Sequence, residues 1–205
     1  MNWYDRHLLP HLIDCACGMG DVMKLRAGLI PQAKGRVLEV GIGTGLNLPY
    51  YDARQVSHIC GLDPSPEMHG LAKARAAAIQ IPIEHVTLSA ERIAAADHSY
   101  DTVVSTFTLC TIPDAVAALG EMRRVLKPGG ELLFCEHGQA PDVGVRRWQD
   151  RLTPLWKPIA GGCHLNRDIR ALLAAGGFAV GEMATSYLPG PRPMTYVYRG
   201  SARAQ

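Results

Sequence analysis

Short apolar runs alternate along this chain with segments in which apolar residues recur every three or four positions. The short runs have the length of buried β-strands, and the longer segments have the spacing of one helical face. The predicted strands are 36–40, 57–62, 83–88, 101–106, 131–136, 178–184 and 194–198. The predicted helices are 65–79, 113–126, 145–155 and a segment that Asn166 caps and 176–177 ends. This alternation predicts an α/β domain with a mostly parallel sheet and helices on both faces.

The same pattern predicts which large side chains form the core. Trp148 lies on the apolar side of the predicted helix 145–155, and Trp156 and Phe178 stand in apolar surroundings. We therefore expect these three side chains to be buried. Cys110 lies between Leu109 and Thr111 at the end of a predicted strand, where packing is favoured over a role as a nucleophile.

The first 30 residues precede the first predicted strand and have helical spacing. The simpler interpretation is a helix packed on the edge of the sheet. The alternative is a lid that closes over a ligand and carries Trp3, Tyr4 and His7 into the site.

Glycines stand at positions 41, 43 and 45, directly after the first predicted strand. Glycine at a strand-to-helix turn lets a ligand approach the backbone, and the amides that open the next helix would face that ligand. A dinucleotide-binding loop has the spacing Gly-x-Gly-x-x-Gly, whereas here the third glycine comes one residue early. Glu39 precedes the loop, where a carboxylate would repel a pyrophosphate and attract a cationic amine.

Asp63 follows the second predicted strand. A carboxylate at that strand end is suited to accept hydrogen bonds from two ribose hydroxyls. Glu39 and Asp63 together therefore indicate a ligand with a ribose, a cationic amino group and no phosphates. S-adenosylmethionine has these features, whereas NAD, which carries a pyrophosphate, fits them poorly.

At these residues the chain resembles the class I S-adenosylmethionine-dependent methyltransferases, in the branch that contains ubiquinone C-methyltransferases. The motifs that carry the resemblance are 39–45, 61–65, 100–106 and 124–130. The family implies a Rossmann-like seven-stranded sheet whose last strand is antiparallel, with S-adenosylhomocysteine as the product. The cofactor-binding residues that it implies are Glu39, Gly41, Gly43 and Gly45 at the methionine end, Asp63 and Pro64 at the ribose, Ala90 and Glu91 at the adenine, and Thr106 and Phe107 at the sulfonium.

A closer similarity extends over the segments 89–91, 108–111, 135–137 and 155–163. There the chain is similar to a group of small methyltransferase-like proteins whose animal members methylate alkyl thiols and sulfide. The resemblance implies S-methylation of a small thiol. A quinol or a phospholipid-type amine is the alternative acceptor. A further alternative is that the protein binds S-adenosylmethionine without catalysing a reaction. The residues expected to contact the acceptor are Tyr4, His7, Cys110, Trp156 and Cys163.

Methyl transfer from a sulfonium needs mainly in-line positioning and exclusion of water. A thiol or phenol acceptor must also lose a proton, for which a base with a pKa near 7 is suited. His137, at a predicted strand end, is the first candidate, although a hydrogen bond to a neighbouring loop would explain it equally well. His164 is the second candidate and His7 the third.

Composition and charge limit the classes of partner that the chain is expected to bind. The chain has 205 residues, of which 47% are hydrophobic, so disorder is excluded. Twenty-one basic and nineteen acidic residues leave a net charge of +2, too small to predict a nucleic-acid or anionic-membrane partner. A nucleic-acid methyltransferase is further disfavoured, because no Asn/Asp-Pro-Pro-Tyr/Phe motif follows the fourth predicted strand to hold a flipped base.

The six cysteines include no Cys-x-x-Cys pair, which predicts reduced thiols and a cytoplasmic protein. The spacing of Cys15, Cys17, Cys163 and His164 is not that of a structural zinc site, so we expect no metal. No window approaches the ~18 apolar residues of a membrane span.

We predict one domain over 1–205. Within it, 1–30 would be a helical cap and 36–135 the cofactor-binding core. The remainder, 136–205, would supply the helices on the substrate side and the last two strands.

Overall fold

Seven strands form one sheet in this computed structural model, which describes residues 3–205 apart from the side chains of Asp5 and His69. The strands are β1 (Gly35–Val40), β2 (Val56–Leu62), β3 (Ile83–Val86), β4 (Tyr100–Thr106), β5 (Leu126–His137), β6 (Phe178–Tyr187) and β7 (Tyr196–Ala204). Their order across the sheet is β3-β2-β1-β4-β5-β7-β6. The first five strands pair in parallel, and β7 is antiparallel to β5 and β6. The predicted fold class, including the antiparallel last strand, is confirmed.

The strand order reverses between β1 and β4, which both lie at the centre of the sheet. Ligands of open α/β sheets bind at such a switch point, beyond the carboxyl ends of the strands. The described helices are α1 (Trp3–His7), α2 (Leu9–Cys17), α3 (Gly20–Leu29), α4 (Pro66–Ala76), α5 (Ala115–Val125), α6 (Val143–Trp156), α7 (Ile169–Ala175) and α8 (Arg192–Thr195). No helix within 3–205 is both long enough and apolar enough to cross a membrane.

The helix expected directly after the glycine loop is absent from the described chain. A short 3₁₀ turn over Leu48–Tyr50 stands in its place, and the chain then returns to β2. All three loop glycines have positive φ angles of 54–79°, and Pro49 lacks an N–H. A regular helix therefore has too little room to begin before β2.

Three expectations about the later helices and their side chains are wrong, for Trp148, Trp156 and Asn166. Trp148 is 55% exposed on α6, which instead buries the polar residues Gln149 and Thr153. The reason is that α6 packs on the polar backbone of the segment after β5 and of Pro193, and Gln149 must satisfy it. The Gln149 side chain donates to the carbonyls of Gly138 and Pro193 and accepts from the Ala140 N–H. Phe178 is buried as predicted, and Trp156 is only half-buried.

The helix expected from Asn166 begins later, because the carboxylate of Asp168 caps it by accepting the Ala171 N–H at 3.0 Å. Asn166 instead donates to Asp150. Apolar residues on both faces of the central strands are fully enclosed, for example Phe134 in one core cluster and Leu133 in the other. This packing makes the sheet a rigid base for the loops at its carboxyl edge.

Candidate active site

A cavity of 690 Å³ opens at the carboxyl ends of β1, β2 and β4. This volume lies in the range of sites for small ligands and cofactors. Its floor includes Gly41, Gly43 and Asp63, which were all predicted to bind the cofactor, together with the predicted Pro64. Apolar walls surround that floor: Leu62, Met68, Leu88 and Ile112.

Asp63 anchors the floor of the cavity. Its Oδ2 accepts the Gly43 N–H at 3.0 Å, and its Oδ1 accepts the Ser65 N–H at 2.9 Å. Burial raises the pKa of Asp63, while these two backbone donors act in the opposite direction. The carboxylate is thereby fixed at the strand end. A Cβ at Gly41 would collide with the side chain of Thr108, so only glycine leaves room there.

Two predicted cofactor residues lie behind the cavity wall and do not line it. Gly45 faces Leu48 and Ala72, which an added Cβ would approach to 2.8 and 3.3 Å. Glu39 is 2% exposed, and its carboxylate accepts hydrogen bonds from Asn47 at 2.9 Å and from the Tyr51 hydroxyl at 2.8 Å. Burial raises the pKa of Glu39 to about 7. Glu39 therefore contacts the cavity wall only indirectly, through its hydrogen-bond partners Asn47 and Tyr51.

Arg26 on α3 is a buried cation of the cavity wall that the sequence analysis missed. Its Nη1 donates to Asn47 and to Thr106, both at 2.7 Å, and Asn47 connects it to Glu39. Its guanidinium lies 5.4 Å from the ring centre of Phe107. The Nε atom is buried and has no hydrogen-bond partner within the described chain. A buried donor of this kind is suited to bind an anionic ligand group.

Helix α2 covers one side of the cavity through Leu9, Ile13 and Cys17. Asp14, on the same helix, accepts hydrogen bonds from the Thr44 hydroxyl at 2.5 Å and from Arg75 at 2.8 Å. These contacts attach α2 directly to the glycine loop. Burial raises the pKa of Asp14, but the bonds from Arg75 and Thr44 outweigh it and the net shift is downward.

The predicted N-terminal contacts are not at the cavity. His7 is exposed on α1, with its ring 5.6 Å from that of Trp3. The Tyr4 hydroxyl donates to the carbonyl of Ile159 at 2.7 Å and so ties α1 to the loop after α6. In this structure α2, and not α1, lines the cavity, so Trp3, Tyr4 and His7 lie outside it; whether the segment closes as a lid stays a prediction.

The residues predicted at the adenine and sulfonium ends all line the cavity. They are Ala90, Glu91, Thr106 and Phe107. Glu91 also accepts the Asp114 N–H at 3.1 Å. Phe107 has a φ of 55°, a left-handed conformation that is uncommon outside glycine. This turn takes the chain from β4 across the cavity.

Glu136 fixes that turn, and the sequence analysis did not single it out. It is fully buried and accepts the Ser105 hydroxyl and the N–H groups of Thr108 and Leu109 at 2.7–3.1 Å. Burial raises the pKa of Glu136 to about 7, against the effect of these three donors. A carboxylate inside a strand of apolar residues is the only sequence signal of this role.

Three predicted site residues meet beside the cavity: Cys110 after β4, His137 at the end of β5 and Cys163 after α6. Their ligating atoms all lie within 4.8 Å of one another. Cys110 and His137 are 4% and 6% exposed, and both cysteines are free thiols. A hydrogen bond from the Cys110 thiol is the main cause that lowers the pKa of Cys163, and His137 lowers it further. The Cys163 sulfur in turn raises the pKa of Cys110.

The loop after α6 is held against the turn after β4. The backbone N–H of His164 donates to the Cys110 carbonyl at 2.8 Å, and its Nδ1 lies 3.1 Å from the same oxygen. Desolvation lowers the pKa of His164, which favours the neutral ring. A carbonyl contact at Nδ1 then places the proton there and leaves the lone pair on Nε2. Trp156 is half-buried near Cys163 and does not line the cavity.

Comparison with known proteins adds family information to this geometry. Residues 38–134 match the methyltransferase-domain family. Human thiol S-methyltransferase TMT1A is 32% identical over 178 residues, 82% of this chain and 71% of that protein. Rat thiol S-methyltransferase TMT1B is 38% identical over 136 residues, 64% of this chain and 55% of that protein. This chain thus spans little more than half the length of the rat protein.

A bacterial relative and a solved structure complete these comparisons. Phosphatidylethanolamine N-methyltransferase of Cereibacter sphaeroides is 39% identical over 107 residues, covering 50% of this chain and 51% of that protein. An S-adenosylmethionine-dependent methyltransferase from Mesorhizobium loti superposes with a TM-score of 0.67 at 23% identity. That superposition covers 91% of this chain and 98% of the other, and it supports the fold alone.

Proposed function

The chain belongs to the class I S-adenosylmethionine-dependent methyltransferases, and we propose that it methylates the sulfur of a small thiol. The observation that carries the proposal is the roof of the cavity. Leu9 and Ile13 of α2 line the cavity together with Pro158 of the loop after α6, beside the cation Lys157. An apolar roof suits a small, modestly polar acceptor, whereas a nucleic acid would need an open basic groove. The thiol relatives favour sulfur as the acceptor atom.

The residues of the cavity fit S-adenosylmethionine. Glycine at position 41, where a Cβ would collide with Thr108, gives a ligand access to the backbone of the loop. The fixed carboxylate of Asp63 is suited to the ribose hydroxyls, and the unpartnered Nε of Arg26 is suited to the methionine carboxylate. Leu88 and Ile112 offer apolar surface for the adenine. When bound, the cofactor supplies a methyl group already activated on a sulfonium.

The protein then has three tasks: to orient the acceptor, to exclude water and to remove the acceptor's proton. The contacts of Asp14 with Thr44 and Arg75 hold α2 against the glycine loop. The turn at Phe107, fixed by Glu136, shapes the end of the cavity beside the cysteine and histidine side chains. His137 and His164 are the proposed proton acceptors, and His164 has the better defined neutral tautomer.

Purified protein should be assayed with matched acceptors that differ in one atom, 2-mercaptoethanol and ethanolamine, with phenol as a third. S-adenosylhomocysteine and the methylated product are measured by mass spectrometry. We expect a kcat/KM for the thiol that exceeds those of the amine and the phenol. Equal or higher turnover of the amine would overturn the proposal and favour an N-methyltransferase, the activity named for the bacterial relative.

A matched pair of variants tests the roof itself. Ile13 lines the cavity, whereas the neighbouring Leu12 is 48% exposed on the same helix. Ile13→Ser should raise the KM for the thiol, and Leu12→Ser should leave it unchanged. Equal effects of the two substitutions would argue against an acceptor site under α2.

A further inference from the structure

The group formed by Cys110, His137 and Cys163 has a composition that the methyl-transfer chemistry described above does not require. Two sulfur atoms and an imidazole nitrogen converge within 4.8 Å from three separate segments of the chain. The Nε2 atom of His137 is buried without a hydrogen-bond partner in the described structure. One nitrogen of the same buried ring lies within 4.8 Å of two thiols, and a buried ring with an unpartnered nitrogen there leaves a place for a missing ligand, because buried polar atoms are normally satisfied.

The segments that carry these side chains are fixed independently of any ligand. His137 pairs with Val197 at the end of β5, and Cys110 follows the turn that Glu136 holds. Cys163 precedes His164, whose backbone N–H donates to the Cys110 carbonyl at 2.8 Å. The three donors are thus held together by the fold, as the ligands of a metal site are.

Two cysteines and one histidine are a ligand set typical of zinc. Catalytic zinc sites use three protein ligands, including Cys₂His, and keep the fourth position for water or substrate. Zn–S bonds of ~2.3 Å in a tetrahedron place two sulfurs about 3.8 Å apart. The spread of up to 4.8 Å here therefore needs movements of roughly 1 Å or less. No fourth His, Cys, Asp or Glu of the described residues joins the group.

We propose that Cys110, His137 and Cys163 bind one Zn²⁺, whose open coordination position takes the sulfur of the acceptor. This role rests on the proposed thiol methylation, whereas the metal site stands on the geometry. The site adjoins the cavity, because Thr111 and Gly162, next to two of the ligands, both line it. Sequence spacing could not reveal it, since Cys110 and Cys163 are 53 positions apart (163 − 110).

The chemistry balances without any oxidant or reductant. The thiol loses its proton as its sulfur bonds to zinc, since metal-bound thiols are deprotonated. His137 is then a metal ligand and no longer a proton acceptor, so the proton passes to the neutral ring of His164 or to water. A sulfur electron pair then forms the new C–S bond, and the sulfonium C–S bond breaks with its pair staying on the departing sulfur. The thioether product is neutral and a weaker ligand than the thiolate, so it leaves the metal.

Metal binding is tested first, without cofactor or acceptor. The reduced full chain is freed of metal with a chelator and titrated with Zn²⁺ and with Co²⁺. We expect one ion per chain, a sulfur-to-cobalt charge-transfer band and the intense visible bands of tetrahedral cobalt. Cys110→Ser, His137→Gln and Cys163→Ser should each weaken this spectrum, whereas Cys15→Ser, at an exposed cysteine outside the group, should preserve it. Sub-stoichiometric binding, or an unchanged spectrum in the three variants, would overturn the site.

A measurement on the unmodified chain covers the case in which a variant fails to fold. Zn²⁺ should protect Cys163, the more accessible of the two thiols, from alkylation by iodoacetamide and leave the exposed Cys15 reactive, as read by peptide mass spectrometry. A Cys110–Cys163 disulfide that forms in the metal-free protein and is unaffected by Zn²⁺ would overturn the proposal in favour of a redox pair.

The role in acceptor binding is tested separately on the cobalt protein. 2-Mercaptoethanol should shift the cobalt bands, and ethanolamine should not. A spectrum unchanged by the thiol would show a structural ion and overturn the acceptor role. If metal binds as expected but only amines are methylated, the proposed thiol function fails while the metal site stands.

Discussion

Replacement of Asp63 by Asn keeps the size of the side chain and removes its charge. The carboxylate accepts two backbone N–H groups, at Gly43 and Ser65. An asparagine offers one oxygen, so its amide group must face one of these donors. Hydrogen bonds to a charged group contribute about 1.5–3 kcal/mol. A tenfold change in Kd corresponds to about 1.4 kcal/mol. Loss of this binding free energy at the ribose site therefore predicts a 10- to 100-fold rise in the Kd of S-adenosylhomocysteine.

Isothermal titration calorimetry with S-adenosylhomocysteine measures this effect directly. The matched control is Asp97→Asn, because Asp97 is exposed and pairs with Arg124 away from the cavity. We expect the Kd of the control to equal that of the unmodified protein. An Asp63→Asn protein that folds normally and binds with unchanged affinity would refute the assignment of this carboxylate to the cofactor.

Three further substitutions probe the residues around the cavity. Arg26→Met should weaken S-adenosylhomocysteine binding about tenfold or more in the same calorimetric assay, because it removes a buried cation from the wall. Gly45→Ala should lower the free energy of unfolding by about 1 kcal/mol or more in urea, because φ is 79° and the added Cβ meets Leu48. Burial raises the pKa of Glu136 from 4.5 to about 7, so its contribution to stability is full below about pH 4.5 and is lost as the pH rises through 7. The free energy of unfolding in urea should therefore fall less between about pH 5 and about pH 8 for Glu136→Gln than for the unmodified chain.

The sheet and the floor of the cavity were predictable from sequence because their signals are local. Each strand is a short apolar run, and the cofactor end lies where two successive runs stop at a glycine loop and at Asp63. The predicted Asp63 and Gly43 are in fact hydrogen-bonded to each other, although 20 positions separate them (63 − 43). Parallel strands bring their carboxyl ends to one edge, so a strand assignment alone places such residues together.

The wall and the roof were not predictable in the same way, because their residues act across distant segments. Arg26 follows Asp21 and Lys24 on α3 and looks like a surface cation in the sequence, yet its partners Asn47 and Thr106 fix it in the cavity wall. Glu39 was expected to face the ligand and instead binds Asn47 and Tyr51, since a buried carboxylate takes the nearest donors. Tertiary contacts decide which polar side chain of a strand end reaches the ligand.

The two ends of the site are built by different means, and this difference bears on how the reaction is specified. The cofactor end is formed by strand ends and backbone amides, which vary little with side-chain identity. The acceptor end that we propose lies where side chains from the turn after β4, the end of β5 and the loop after α6 meet as Cys110, His137 and Cys163. A change of acceptor therefore needs only substitutions in these segments, while cofactor binding is preserved. The identity of the acceptor atom should follow the chemistry of those three side chains more closely than that of the glycine loop.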